Sequence, residues 1–103
     1  MALELRPNCE LRDQDLPPGS TEARICSYEC TYCADCAETK LFNVCPNCGG
    51  GLEPRSIRPA TEWRAGLSVQ KQPPTTKRVH SCFPVEEVEM FSQRLRDIPP
   101  ENR

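Results

Sequence analysis

Apolar positions along the chain fall into three short stretches separated by polar, proline-rich segments. Residues 24–29, Arg-Ile-Cys-Ser-Tyr-Glu, have strand character, and residues 34–42 read as a helix that begins at a cysteine pair. Near the end of the chain Val85, Val88, Phe91 and Leu95 recur at spacings of 3, 3 and 4. That spacing predicts one apolar stripe on a helix opened by Pro84 and stopped before Pro99. The stripe is expected to dock on the rest of the protein and cover its core, with a dedicated partner-binding helix as the alternative. Between these stretches, residues 54–80 carry Pro54, Pro59, Pro73 and Pro74 and predict an extended linker broken by one helical turn at residues 61–66.

Composition explains why the stretches are short. Of 103 residues only 37% are hydrophobic, six are aromatic and eleven are proline, so a continuous apolar core can involve little of the chain. Eight cysteines are the obvious substitute brace. The first residues show no basic, apolar and small-residue sequence of an export signal, and no run nears the roughly 20 apolar residues of a membrane span. A cytoplasmic location with no membrane contact is therefore expected, where thiols stay reduced and available to metals.

Charge is distributed unevenly. Residues 1–53 carry 4 basic and 9 acidic groups, residues 54–80 carry 6 and 1, and residues 81–103 carry 3 and 5. Thiolates on metal would make the first part more acidic still, which disfavours it as a phosphate-binding surface. Nucleic-acid contact is left to Arg55, Arg58, Arg64, Lys71, Lys77 and Arg78, interleaved with no aromatic but Trp63. These are read first as a solvated linker, and a nucleic-acid-binding zinc protein is a minor alternative. Glu10, Asp13 and Asp35 are likewise read as a solvated face, not as catalytic groups.

The cysteines are spaced Cys9-x2-Arg12, thirteen residues, Cys26-x3-Cys30-x2-Cys33-x2-Cys36, eight residues, Cys45-x2-Cys48, with Cys82 alone in the tail. A two-residue spacer lets a tight turn aim two sulfurs at one ion while backbone N–H groups approach them. In Cys45-Pro-Asn-Cys48-Gly-Gly, Pro46 pre-sets the turn and Gly49 and Gly50 permit left-handed backbone. Cysteines two residues apart rarely form structural disulfides, so a disulfide framework is the weaker alternative. All-thiolate pairs favour Zn²⁺, one or two ions, over an iron–sulfur cluster.

Taken in order, the pairs resemble the RING pattern, in which the first and third hold one zinc and the second and fourth hold the other. The resemblance implies a small metal-bound α+β fold: a cross-braced, treble-clef zinc module over residues 1–53 with a short hairpin and one helix, then the basic linker at 54–80 and an amphipathic C-terminal helix and tail at 81–103. It gives one complete site, Cys26, Cys30, Cys45 and Cys48. The other has Cys9, Cys33 and Cys36, the last two beside the positive end of a helix. Its fourth position falls on Arg12, which stays protonated and cannot ligate zinc. Asp13, Glu10, a water, or His80 and Cys82 from the tail are the candidate substitutes.

From Leu3-Glu-Leu-Arg-Pro-Asn-Cys9-Glu, through Asp15-Leu-Pro-Pro18 and Ala23-Arg-Ile-Cys-Ser-Tyr-Glu-Cys-Thr-Tyr-Cys-Ala-Asp-Cys-Ala37, to Cys45-Pro-Asn-Cys-Gly-Gly50, the chain resembles a bacterial family, the domain of unknown function 1272. The likeness continues through Pro54-Arg-Ser-Ile-Arg-Pro59 and Arg96-Asp-Ile-Pro-Pro100. It implies a cysteine-rich zinc protein with no established activity, and the chain departs from the motif at Leu11-Arg12, where a cysteine is due. A structural zinc module that engages a protein partner is expected, with Leu11, Pro46, Trp63 and the helix stripe as its surfaces. Metal handling or thiol redox sensing, and a RING-like ligase-type adaptor, are the other classes; catalysis is not expected.

Overall fold

The computed structural model describes residues 3–103, an α+β fold with a three-stranded antiparallel sheet and two helices. Strand β1 (Ala23–Ile25) pairs with β2 (Thr31–Cys33), Ala23 opposite Cys33 and Ile25 opposite Thr31. Helix α1 (Ala34–Thr39) follows β2 without a loop. A third strand that periodicity gave no sign of, β3 (Glu53–Pro54), covers the other edge of β1. Two residues carry too little pattern to predict, and their pairing exists only because the chain returns to β1 after the last cysteine pair.

Six residues are too few for a helix that stands alone in water. Helix α1 is held by its start, where the Cys33 sulfur accepts from the Cys36 N–H at 3.4 Å, and by burial of Ala34, Cys36 and Ala37. It ends three residues earlier than expected because Phe42 and Asn43 take left-handed backbone, φ 49° and 63°. The Asn43 side-chain oxygen then accepts from the Leu52 N–H at 2.9 Å, which sets the chain's course into β3. Leu16, Tyr32, Leu41 and Leu52 pack around the cysteines, so the sulfurs form the centre of the core.

Residues 54–80 contain no helix; at 61–66 there are bends, closed by a Leu67 N–H to Arg64 carbonyl bond beside left-handed Gly66. The segment is fastened along the N-terminal stretch. Arg55, read from sequence as a solvated cation, is 5% exposed and donates to the carbonyls of Arg6, Leu16 and Pro17. Arg58 donates to the Leu3 and Gln72 carbonyls, and the N–H groups of Thr75 and Ser81 reach the carbonyls of Leu5 and Glu10. Arginine serves here because its planar fork spreads several donors across neighbouring carbonyls.

Helix α2 (Val85–Leu95) starts after Pro84, as the pattern predicted, but is rotated about its axis relative to the predicted stripe. Val88 and Ser92 are the buried positions, whereas Val85 is 68% exposed. Ser92 escapes a hydrophobicity search, yet its hydroxyl donates to the Leu41 carbonyl at 2.7 Å and fixes the helix on the cysteine-rich part. Phe91 and Leu95 flank that line and press on Gly49, where an added Cβ would lie 3.0 Å from Leu95 Cδ1. Gly49 also has φ 82°. Gly49→Ala is expected to cost about 2 kcal/mol in a denaturant titration of the metal-loaded protein, against a negligible change for Gly19→Ala, whose Cβ would meet nothing within 4 Å. Equal stability of the two variants would show that α2 does not rest on Gly49.

Candidate metal centre

No disulfide joins any of the eight cysteines. Six of them form two groups: the sulfurs of Cys9, Cys33 and Cys36 lie within 4.8 Å of one another, as do those of Cys26, Cys45 and Cys48. The first group joins pair one to pair three and the second joins pair two to pair four, so the two interleave along the chain. Cys30 stands outside the 4.8 Å set, but it closes the same turn as Cys26, whose N–H bonds the Cys30 carbonyl at 3.1 Å, and its sulfur accepts from Asn47 in the turn between Cys45 and Cys48. The four sulfurs expected at one site are therefore neighbours, three tightly and one through its partners.

Secondary structure explains the convergence. Cys33 ends β2 and Cys36 lies in the first turn of α1, while Cys26 and Cys30 bracket the β1–β2 turn, closed by Glu29 at φ 68°. The fourth pair sits in a turn where the Gly49 N–H bonds the Cys45 carbonyl at 2.7 Å and the Cys45 N–H bonds the Gly50 carbonyl at 2.9 Å. Pro46, in the same turn, is buried and is no surface for a partner.

The turn at Cys9 repeats this hydrogen-bond pattern. The Asp13 N–H bonds the Cys9 carbonyl at 2.8 Å, the Cys9 N–H bonds the Gln14 carbonyl at 2.8 Å, and Asp13 has φ 59° where Gly49 has 82°. Arg12 thus stands in the slot that Cys48 fills in the other turn. Its guanidinium turns outward to Asp35 at 3.0 Å and to Gln14.

None of the proposed substitutes joins Cys9, Cys33 and Cys36 among the described residues. Asp13 is engaged by Asn8, Arg78 and His80. That engagement accounts for His80 as well, and the Arg78 contact lowers the carboxyl's pKa. Cys82 lies at the surface. Glu10 is not part of a solvated face: it is 1% exposed, and one oxygen accepts from the Thr31 N–H at 2.6 Å and from Arg6 at 2.9 Å. Burial raises its pKa, partly offset by those donors. Glu10 thereby ties the first turn to β2, a structural role that alternation of polar residues does not reveal.

The donor chemistry suits a soft dication. Backbone N–H groups of Tyr28, Cys36 and Gly50 point at Cys26, Cys33 and Cys48 at 3.3–3.4 Å, and the Asn47 amide donates to Cys30 at 3.3 Å. Such donors stabilise thiolates. Without metal, burial pushes the Cys26 thiol up to about 11 and also raises Cys36. Cys45 is raised by its bond to Cys30 and then by burial, while Cys30, receiving that bond, is held down to about 5. A metal ion would replace the retained protons, so loading releases acid and weakens as pH falls.

The fold and these sulfurs define a small α+β protein with two interleaved cysteine clusters capable of holding metal. Residues 2–58 match the model of the family described as protein of unknown function (DUF1272). An uncharacterised protein of Rhizobium meliloti strain 1021 is 56% identical over 85 residues, covering 80% of this chain and 94% of the relative. The chain belongs to the DUF1272 family. No solved structure matches it. No described helix is long and apolar enough to cross a membrane.

Proposed function

We propose that the protein is a structural zinc module with a cross-braced, RING-like arrangement, in which Cys26, Cys30, Cys45 and Cys48 hold one ion and Cys9, Cys33 and Cys36 hold a second. The interleaving of the two sulfur groups carries this proposal. Each ion ties together segments far apart in sequence, which a core of this size needs. Zinc is favoured by the all-sulfur donors and by turns that suit one tetrahedral ion. The role is to present a surface to a protein partner, because four thiolates at the second site leave no position for substrate. The surface to test lies on the 54–80 segment, where Ile57 and Leu67 line one shallow cleft and Trp63 is 77% exposed. Arg55, Arg58 and Arg78 are already bonded to carbonyls or carboxylates, which counts against the basic segment as a nucleic-acid site.

Crosslinking in the native host with a photoreactive group at position 63 tests the role. One protein is expected to be trapped, and lost in Ile57→Ser and Leu67→Ser variants that keep the wild-type melting temperature. An unchanged pattern in those variants would remove the partner surface.

A further inference from the structure

The first site has three sulfurs and a fourth slot held by a residue that cannot ligate. A cleft of about 540 Å³ lies between α1, α2 and the Leu11–Arg12 turn, with Cys36, itself 0% exposed, at the base of its wall and Arg12 at its edge. Leu11, Phe42 and Val88 make it apolar. Arg12, Lys40 and Arg96 add three cations against a single carboxylate, Glu89, with Arg96 held over the Phe42 ring at 4.7 Å. Arg12, at the edge of the cleft, is paired with Asp35, and the two side chains are 48% and 62% exposed. Exposed pairs of this kind are weak, so the guanidinium can swing aside or turn toward an anion.

We infer that the fourth coordination position of the Cys9, Cys33 and Cys36 site is completed from outside the chain, by a small molecule that carries an anionic donor, a thiolate or a carboxylate, on an apolar body lodged in this cleft. This rests on the proposed metal occupancy of the first site and goes beyond it. Three observations agree. The turn at Cys9 has the hydrogen bonds of a two-cysteine turn but supplies one sulfur. Asp13, Glu10, His80 and Cys82 are all placed elsewhere. The cleft that reaches Cys36 is apolar in its body and cationic at Arg12, which suits an anion that binds metal head first. Arg12 is then a positioning residue for the donor. Coordination breaks and forms only metal–ligand bonds: the donor displaces water and arrives deprotonated, its proton passing to solvent.

The test uses the full chain loaded with cobalt(II), whose spectrum reports both geometry and the number of sulfur ligands. Two tetrahedral cobalt equivalents before any addition are required by the proposed metal sites; fewer would sink that occupancy itself, and this inference with it. Phenylmethanethiol is expected to add sulfur-to-cobalt charge transfer that saturates at one equivalent, or phenylacetate to shift the d–d bands without it. The responding probe identifies the donor class, and ultrafiltration checks that the cobalt stays bound. Arg12→Cys should abolish the response by filling the slot. Val85→Glu, at the exposed lip of the cleft, should weaken it several-fold and carries the test if Arg12→Cys does not fold. Two cobalt ions with no response to either probe at millimolar concentration, or an undiminished response in Val85→Glu, would overturn the inference while leaving the metal sites standing.

Discussion

Cys45→Ser is expected to lose one of two bound metal ions and, with it, the cooperative melting of the chain. Cys45 is fully buried and belongs to the second sulfur group. A serine hydroxyl is a far weaker ligand, and the three remaining thiols would hold an ion too weakly to keep it at the centre of the core. Structural zinc contributes roughly 10–16 kcal/mol to the folding of small metal modules, comparable with or larger than the about 5–15 kcal/mol that holds a typical domain together. No other part of this fold can offset such a loss, since the sheet is three short strands and α1 has six residues. Native mass spectrometry and calorimetry would measure both effects. Cys82→Ser is the control and should leave stoichiometry and melting unchanged, because Cys82 is exposed and outside both groups. A wild-type melt for Cys45→Ser, or for the native protein after prolonged chelation, would contradict metal-dependent folding.

The second large effect is a gain. Arg12→Cys is expected to tighten metal binding at the first site by on the order of 10²-fold or more, since even groups that merely orient a ligand are worth about 10–100-fold. The gain should require no rearrangement of the main chain. The Cys9 turn already has both bonds of the Cys45 turn, and Asp13 already takes the left-handed backbone that Gly49 takes there. Loss of the Arg12–Asp35 pair subtracts little, as both groups are exposed. Competition against a chromophoric chelator, reading the weaker of the two equivalents, would measure the change. Unaltered affinity would mean that position 12 does not face the first ion.

Much of this protein could be read without coordinates, and the limit has a physical cause. Cysteine pairs announce themselves by spacing because a two-residue turn can aim both sulfurs at one point, and six of the cysteines so spaced, Cys9, Cys26, Cys33, Cys36, Cys45 and Cys48, are gathered into two groups by the fold. The helix after Pro84 was legible because 3.6-residue periodicity is local. Arg55, Glu10 and Ser92 were not: each is a polar residue buried to satisfy backbone groups far away in sequence, at Leu16, Thr31 and Leu41. Such roles follow from which carbonyls and N–H groups the fold leaves unpaired, and that is known only once it has closed.

By itself, then, the order of residues determined that cysteines would share the core with few apolar side chains and that Arg12 would stand where the pairing calls for a cysteine. Tertiary structure alone decided that this break sits in a turn otherwise built for a second cysteine, beside a cationic cleft between α1 and α2. Spacing along a chain constrains what one turn can bind, but the shape and charge around an open ligand slot come from elements dozens of residues apart, brought together by packing.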